Sequence, residues 1–134
     1  MDAYTAVLLY AGWMLVLTLA YAFPRIPLAL TGQKSIDSWE RGKESPDPAI
    51  QQRMKAAHMN CVENFPVFAA VVVAAGLMNE LAAIGGLAAW VFYARLGQSL
   101  VHISGTSFVQ IMLRATFFVA QVFIILYMIY LLAF

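Results

Sequence analysis

The chain has 134 residues, of which 63% are hydrophobic and 11% charged, and a net charge of +1. So little polar surface cannot coat a water-soluble globule, and so small a net charge excludes nucleic acid or an acidic macromolecule as the expected partner. The expected class is an all-α integral membrane protein embedded in the lipid bilayer, and the single cysteine, Cys61, leaves no intrachain disulfide to form.

Four apolar spans follow one another along a single domain, residues 1–134. Residues 4–23 are long enough to cross a hydrocarbon core, which needs about 20 residues. With Asp2 before it instead of a basic residue, this span reads as a first transmembrane helix, not as a cleaved signal despite Ala20-Tyr21-Ala22. Pro24 and Pro27 are expected to end it. A polar loop, 24–47, carries Gly32, Gly42 and Pro46 as punctuation, with Pro48 directly after it. Asp47 is expected to cap a second helix, 48–79, whose first position would be Pro48. A tight turn at Asn79-Glu80 leads to a third helix, 81–102. Ser104-Gly105-Thr106-Ser107 breaks the chain before a fourth, 108–134. The sequence thus predicts a four-transmembrane-helix bundle.

Six of the eight basic residues lie in one stretch: Arg25, Lys34, Arg41, Lys43, Arg53 and Lys55. The positive-inside bias places residues 24–55 on the cytoplasmic side, and four crossings then put both termini on the opposite side. Depth follows from the helical rise of ~1.5 Å per residue, which sets Glu63 roughly 10 Å, Arg95 roughly 13 Å and Arg114 about 9 Å inside that face. One carboxylate and two guanidiniums from three helices are expected at nearly one level. Each costs on the order of 2.5 to 3.5 kcal/mol in hydrocarbon even on a lenient scale, so they should face the bundle interior or a wet cavity, and pair.

Helical spacing groups the neighbours with them. Asn60 lies three residues before Glu63; Arg95, Gln98, Ser99 and His102 follow a 3, 4, 7 pattern; Gln110, Arg114 and Gln121 are proposed to share one stripe. Pro66 frees a carbonyl beside Glu63 and can bend that helix. Such a set serves either as a lock between helices or as a ligand site, and it has more donors than one carboxylate can use. His58 and His102, on different helices and without further ligands, make no metal site.

The run Asn60-Cys61-Val62-Glu63-Asn64-Phe65-Pro66-Val67-Phe68 closely resembles the N-C-x-E-x-F-P-x-F signature of the MAPEG family, the membrane-associated proteins in eicosanoid and glutathione metabolism. The similarity continues through Ala75-Gly76-Leu77 and Phe92-Tyr93-Ala94-Arg95-Leu96, and the chain length and four-helix layout agree. The resemblance implies a homotrimer binding glutathione between neighbouring subunits near the cytoplasmic side. It further implies that an arginine holds the glutathione thiol as thiolate while a lipophilic small-molecule substrate arrives from the bilayer.

By position, the resemblance makes Asn60 and Glu63 the glutathione-binding pair, with Glu63 taking the α-amino group. Arg53 and Arg95 match arginines that contact its carboxylates or line the site, Arg25 matches an arginine at the end of the first helix, and Arg114 is the candidate thiolate stabiliser. The chain also departs from the pattern. Met59 stands where many members have arginine, Gln98 where they have aromatic residues or histidine, His102 where they have tyrosine, and Phe117 and Phe118 near a helix-four tyrosine. His102 either replaces the tyrosine towards the ligand, even assisting proton transfer, or is an interfacial residue only. The expected function is a glutathione-dependent transferase or peroxidase. The alternatives are a non-catalytic homologue binding lipid or a membrane-protein partner, and a small proton-coupled exporter using Glu63.

Overall fold

Asp2 opens the first helix, α1 (Ala3–Ala22), by accepting from the Thr5 backbone N–H at 2.8 Å and from its hydroxyl at 3.1 Å. The carboxylate thereby satisfies an orphan donor and faces the positive end of the helix. The computed structural model describes every residue from Met1 to Phe134, and no strand is present.

Pro24 interrupts the ladder after Phe23, yet the backbone stays helical and α2 (Arg25–Leu30) follows directly. The first helix ends just before Pro24 as expected, whereas Pro27 lies inside the short helix that follows. Pro27 is the third residue of α2, where its missing N–H has no intrahelical partner to lose. Ala3–Leu30 therefore forms one apolar stretch of 28 residues.

The polar loop is ordered by one carboxylate. Asp47, 7% exposed, accepts from Arg25 (Nη2 at 2.5 Å, Nε at 3.2 Å) and from Trp39 Nε1 at 2.8 Å, while Lys34 Nζ reaches the Pro46 carbonyl at 3.1 Å. Trp39 ends a short 3-10 turn, Ile36–Trp39. This replaces the expected cap: α3 (Ala49–Leu77) begins one residue later than predicted, without a side-chain cap, because Asp47 has been taken by the loop. Burial alone would raise the Asp47 pKa, but the hydrogen bonds from Arg25 and Trp39 and the Arg25 charge outweigh it and hold the carboxyl below its usual range. A depressed folded-state pKa contributes stability that is present above the unfolded value of about 3.9 and lost as pH falls through the lower folded one. Melting temperature should therefore drop as pH is taken below about 4, and Asp47→Asn should start lower at neutral pH and show a flatter acid limb.

At the far end of α3 the Glu80 N–H bonds to the Ala75 carbonyl (2.8 Å) and the Asn79 N–H to Gly76 (3.2 Å), with Asn79 at φ 61°. This is the paired-bond helix stop that needs a left-handed residue, and asparagine tolerates that conformation. The turn makes α4 (Leu81–Ser104) run back along α3. Asn79→Val should cost roughly 1 to 2 kcal/mol in thermal or chemical unfolding, whereas Asn79→Gly should cost nothing.

Ser107 caps α5 (Phe108–Ala133) reciprocally with Gln110: Gln110 N–H donates to Ser107 Oγ at 3.3 Å and Ser107 N–H to Gln110 Oε1 at 2.9 Å. Gln110 Nε2 also reaches Ser104 Oγ at 2.8 Å. Gln110 is thus a cap, which corrects its expected place on a polar stripe with Arg114.

α1 packs on α3 and α4, and α5 lies chiefly along α4. The core is narrow and rich in small residues: Ala3, Ala6, Ala57, Cys61, Ala75 and Ala88 are all buried. Small side chains let backbones approach where no hydrophobic force drives helices together. On the outside, Leu8, Leu77, Trp90 and Phe123 are each more than three-fifths exposed, an apolar coat suited to lipid or to other apolar surface. The stretches Ala3–Leu30, Ala49–Leu77 and Phe108–Ala133 are long and apolar enough to cross a membrane. α4, at 24 residues, instead places Arg95, Gln98, Ser99 and His102 on its buried face.

Candidate functional site

The 3.6-residue period divides α3 into two faces. Ala57, Cys61, Phe68, Val72 and Ala75 pack inward, leaving Asn60 and Glu63 one turn apart on an adjoining face. α3 runs unbroken through Pro66, with both Pro66 and the Val62 whose carbonyl it frees on the exposed side.

Asn60 and Glu63 from α3, Gln98 and His102 from α4, and Arg114 from α5 line one open recess of about 480 Å³. Ile111, Ala115 and Phe118 form its apolar wall. Ile111 and Ala115 are new to the site beside Phe118, and with Arg114 the three follow a 3, 4, 7 spacing that marks one helix face. One side of the cavity is polar and charged, and the other could seat an apolar group.

Hydrogen bonds fix the orientation of the polar wall. Asn60 Nδ2 donates to His102 Nδ1 at 3.2 Å, so the ring of neutral His102 carries its proton on Nε2. Gln121 Nε2 donates to Gln98 Oε1 at 2.9 Å and to the Phe117 carbonyl at 3.0 Å, leaving the Nε2 donors of Gln98 uncommitted. Gln121 is completely buried, so its role is to aim Gln98. Arg53 Nε donates to the Ile103 carbonyl at 2.8 Å, which ties the start of α3 to the end of α4 and leaves both Nη groups for an anion.

The expected ion pairing does not form within the chain. Every ion pair in the chain belongs to the polar loop, Arg25–Asp47 and Lys43 with Asp37 and Glu40, so Glu63 pairs with neither Arg95 nor Arg114. Glu63 is exposed and Arg114 half-buried. The recess presents a free carboxylate and a free guanidinium at once.

Arg95 is elsewhere. It is completely buried, with its guanidinium 5.7 Å from the centre of the Tyr10 ring and no acceptor for Nε, Nη1 or Nη2. Tyr10, which the sequence reading passed over, donates its hydroxyl to the Cys61 carbonyl at 3.1 Å. Cys61 Sγ and Ser99 Oγ lie 3.6 Å apart. This inner layer stands behind the recess wall, between α1, α3 and α4. His58 packs against Tyr21 of α1, their ring centres 5.4 Å apart, and Arg25 is held by Asp47; neither lines the recess.

The sequence model of the MAPEG family matches residues 3–134, essentially the whole chain. No curated protein matches the chain.

Proposed function

The chain belongs to the MAPEG family, and from that premise we propose a glutathione-dependent transferase or peroxidase that acts on lipophilic electrophiles. The observation that carries the reading is the recess, where Glu63 and Arg114 stand uncompensated beside Asn60, Gln98 and His102. A zwitterionic thiol peptide complements such a wall. Its ammonium suits Glu63, one carboxylate suits the Gln98 amide, and its thiolate suits Arg114, while Arg53, which does not line the recess and is tied to the Ile103 carbonyl at the end of α4, is the cation proposed to reach the other carboxylate.

In this reading the chain crosses the bilayer four times, with α4 as the crossing that buries its polar residues, and three subunits associate so that a neighbour closes the open side of the recess. The basic loop 24–55 is cytoplasmic and both termini lie opposite. The exposed apolar coat supports association and lipid contact alike.

Arg114 supplies a cation beside the sulfur, which favours the thiolate over the thiol. His102 Nε2–H donates to the sulfur in place of a tyrosine hydroxyl, its ring held by Asn60. Thiolate attack on the electrophile forms the carbon–sulfur bond as the leaving group departs with its electron pair; with a hydroperoxide, attack on the terminal oxygen breaks the O–O bond, giving glutathione sulfenic acid and an alkoxide that takes a proton from water, and a second glutathione then converts the sulfenic acid to the disulfide and water. Ile111, Ala115 and Phe118 seat the apolar body of the substrate. Arg95 acts from behind the wall by its charge, and Arg25 steadies the loop. The exporter alternative needs Glu63 to hold cations, which Arg114 in the same recess opposes.

Isothermal calorimetry of glutathione with the purified protein, paired with ultraviolet absorbance of the bound thiolate, tests the proposal. Saturable heat and a thiolate band at neutral pH are expected. No heat, with Arg114→Ala indistinguishable from the parent, overturns it and leaves the non-catalytic homologue.

A further inference from the structure

A second recess lies at the ends of α1 and α3, outside the glutathione reading. Tyr21 closes α1, Lys55 and Met59 stand one turn apart on α3, and Trp39 and Arg41 come from the loop; with Arg25 they enclose about 380 Å³. A smaller polar recess continues from it past Ser38, Glu40 and Lys43, sharing Arg25, Trp39, Arg41 and Lys55.

The frame is pre-built. The Arg25 guanidinium sits 5.3 Å from the Tyr21 ring centre and 5.5 Å from that of Trp39, and Asp47 holds both Arg25 and Trp39. That carboxylate offsets the charge of Arg25, and Asp37 with Glu40 offsets Lys43 at 3.6 and 3.2 Å. Arg41 and Lys55 have no such partner. Two uncompensated cations therefore line one cavity together with the apolar surfaces of Tyr21 and Met59.

We infer that this recess binds the phosphate of an anionic phospholipid, with Arg41 and Lys55 on the headgroup and the acyl chains descending past Tyr21 and Met59. Charge selects an anion, and the mixed wall selects an amphiphile over a soluble one. The recess sits where two apolar helices emerge into a basic loop, flanked by Trp39 and Tyr21, the ring types that settle at headgroup level. Basic residues at a membrane surface gain about 1 kcal/mol each from anionic lipid, or roughly fivefold in affinity. Removing both weakens binding by about 25-fold.

The test is native mass spectrometry of the purified protein in neutral detergent, titrated with an equimolar mixture of phosphatidylglycerol and phosphatidylcholine. The protein should retain phosphatidylglycerol preferentially. The Arg41→Ala/Lys55→Ala variant, altered only at polar side chains outside the core and checked by melting temperature, should lose that preference. Lys43→Ala, already neutralised by its neighbours, should keep it. Equal retention of the two lipids overturns the inference, as does an unchanged preference in the double variant or an equal loss in Lys43→Ala. Inorganic phosphate in excess should leave the lipid bound; if it displaces the lipid, the site is one for free phosphate and the lipid assignment fails. None of these outcomes depends on glutathione.

Discussion

Arg114→Ala is expected to slow glutathione conjugation by about 10² to 10³-fold, the usual loss when one preorganised charge-stabilising donor is removed. Arg114 is half-buried in the recess and has no ion pair to break, so its removal exposes no orphaned partner and the fold should melt as before. The loss should fall on the reacting sulfur. Without the guanidinium the bound thiol returns towards its ordinary pKa of about 8.5, so the rate of the variant should climb with pH where that of the parent is already flat. Arg114→Lys, which keeps the charge but not the forked geometry, should recover part of the rate. Initial rates against an aryl halide across the neutral to alkaline range read both effects. A variant with unchanged kcat and a raised KM would show instead that Arg114 only binds a carboxylate, and thiolate stabilisation would have to be reassigned.

Helical period and charge placement made much of this site legible. Asn60, Glu63, Gln98, His102 and Arg114 meet in one recess because 3.6-residue spacing and equal depth are properties of a straight helix, readable before any packing is known. What was illegible depends on competition between partners. Asp47 has the right place for a cap, yet two donors distant in sequence, Arg25 and Trp39, take it first. Gln110 has the spacing of the Arg114 stripe, yet Ser107 three residues earlier recruits it locally. Depth alone suggested that Glu63 and Arg95 would pair. Rotation about the helix axes separates them, turning Arg95 inward and Glu63 outward, and a level has no azimuth.

That rotation leaves a polar layer behind the recess which is not itself a binding surface. Tyr10 ties α1 to α3 through the Cys61 carbonyl, and Cys61 in turn approaches Ser99 on α4. The three helices are thus registered by weak polar contacts around one cation. Such contacts specify which faces meet in a setting where apolar side chains alone distinguish poorly between lipid and protein.

Arg95→Met should consequently raise the stability of the protein, against the usual direction for a core substitution. A guanidinium in hydrocarbon costs about 2.5 to 3.5 kcal/mol, and Arg95 is completely buried with three donor nitrogens unanswered. Its contact with the Tyr10 ring returns about 0.5 to 2 kcal/mol. Methionine fills a similar length with a flexible apolar chain and has no donors to leave bare. A net gain of about 0.5 to 3 kcal/mol follows from the difference between those two ranges, measurable as the shift in a denaturing-detergent titration. The same variant should lower the rate of conjugation, because the charge that biases the recess from behind is gone. Stability and activity would then move in opposite directions at one residue, the signature of a cation kept for function. If Arg95→Met is instead destabilising, the guanidinium stabilises the inner layer through its contact with the Tyr10 ring, and Arg95 with Tyr10 is the pair to take through a double-mutant cycle.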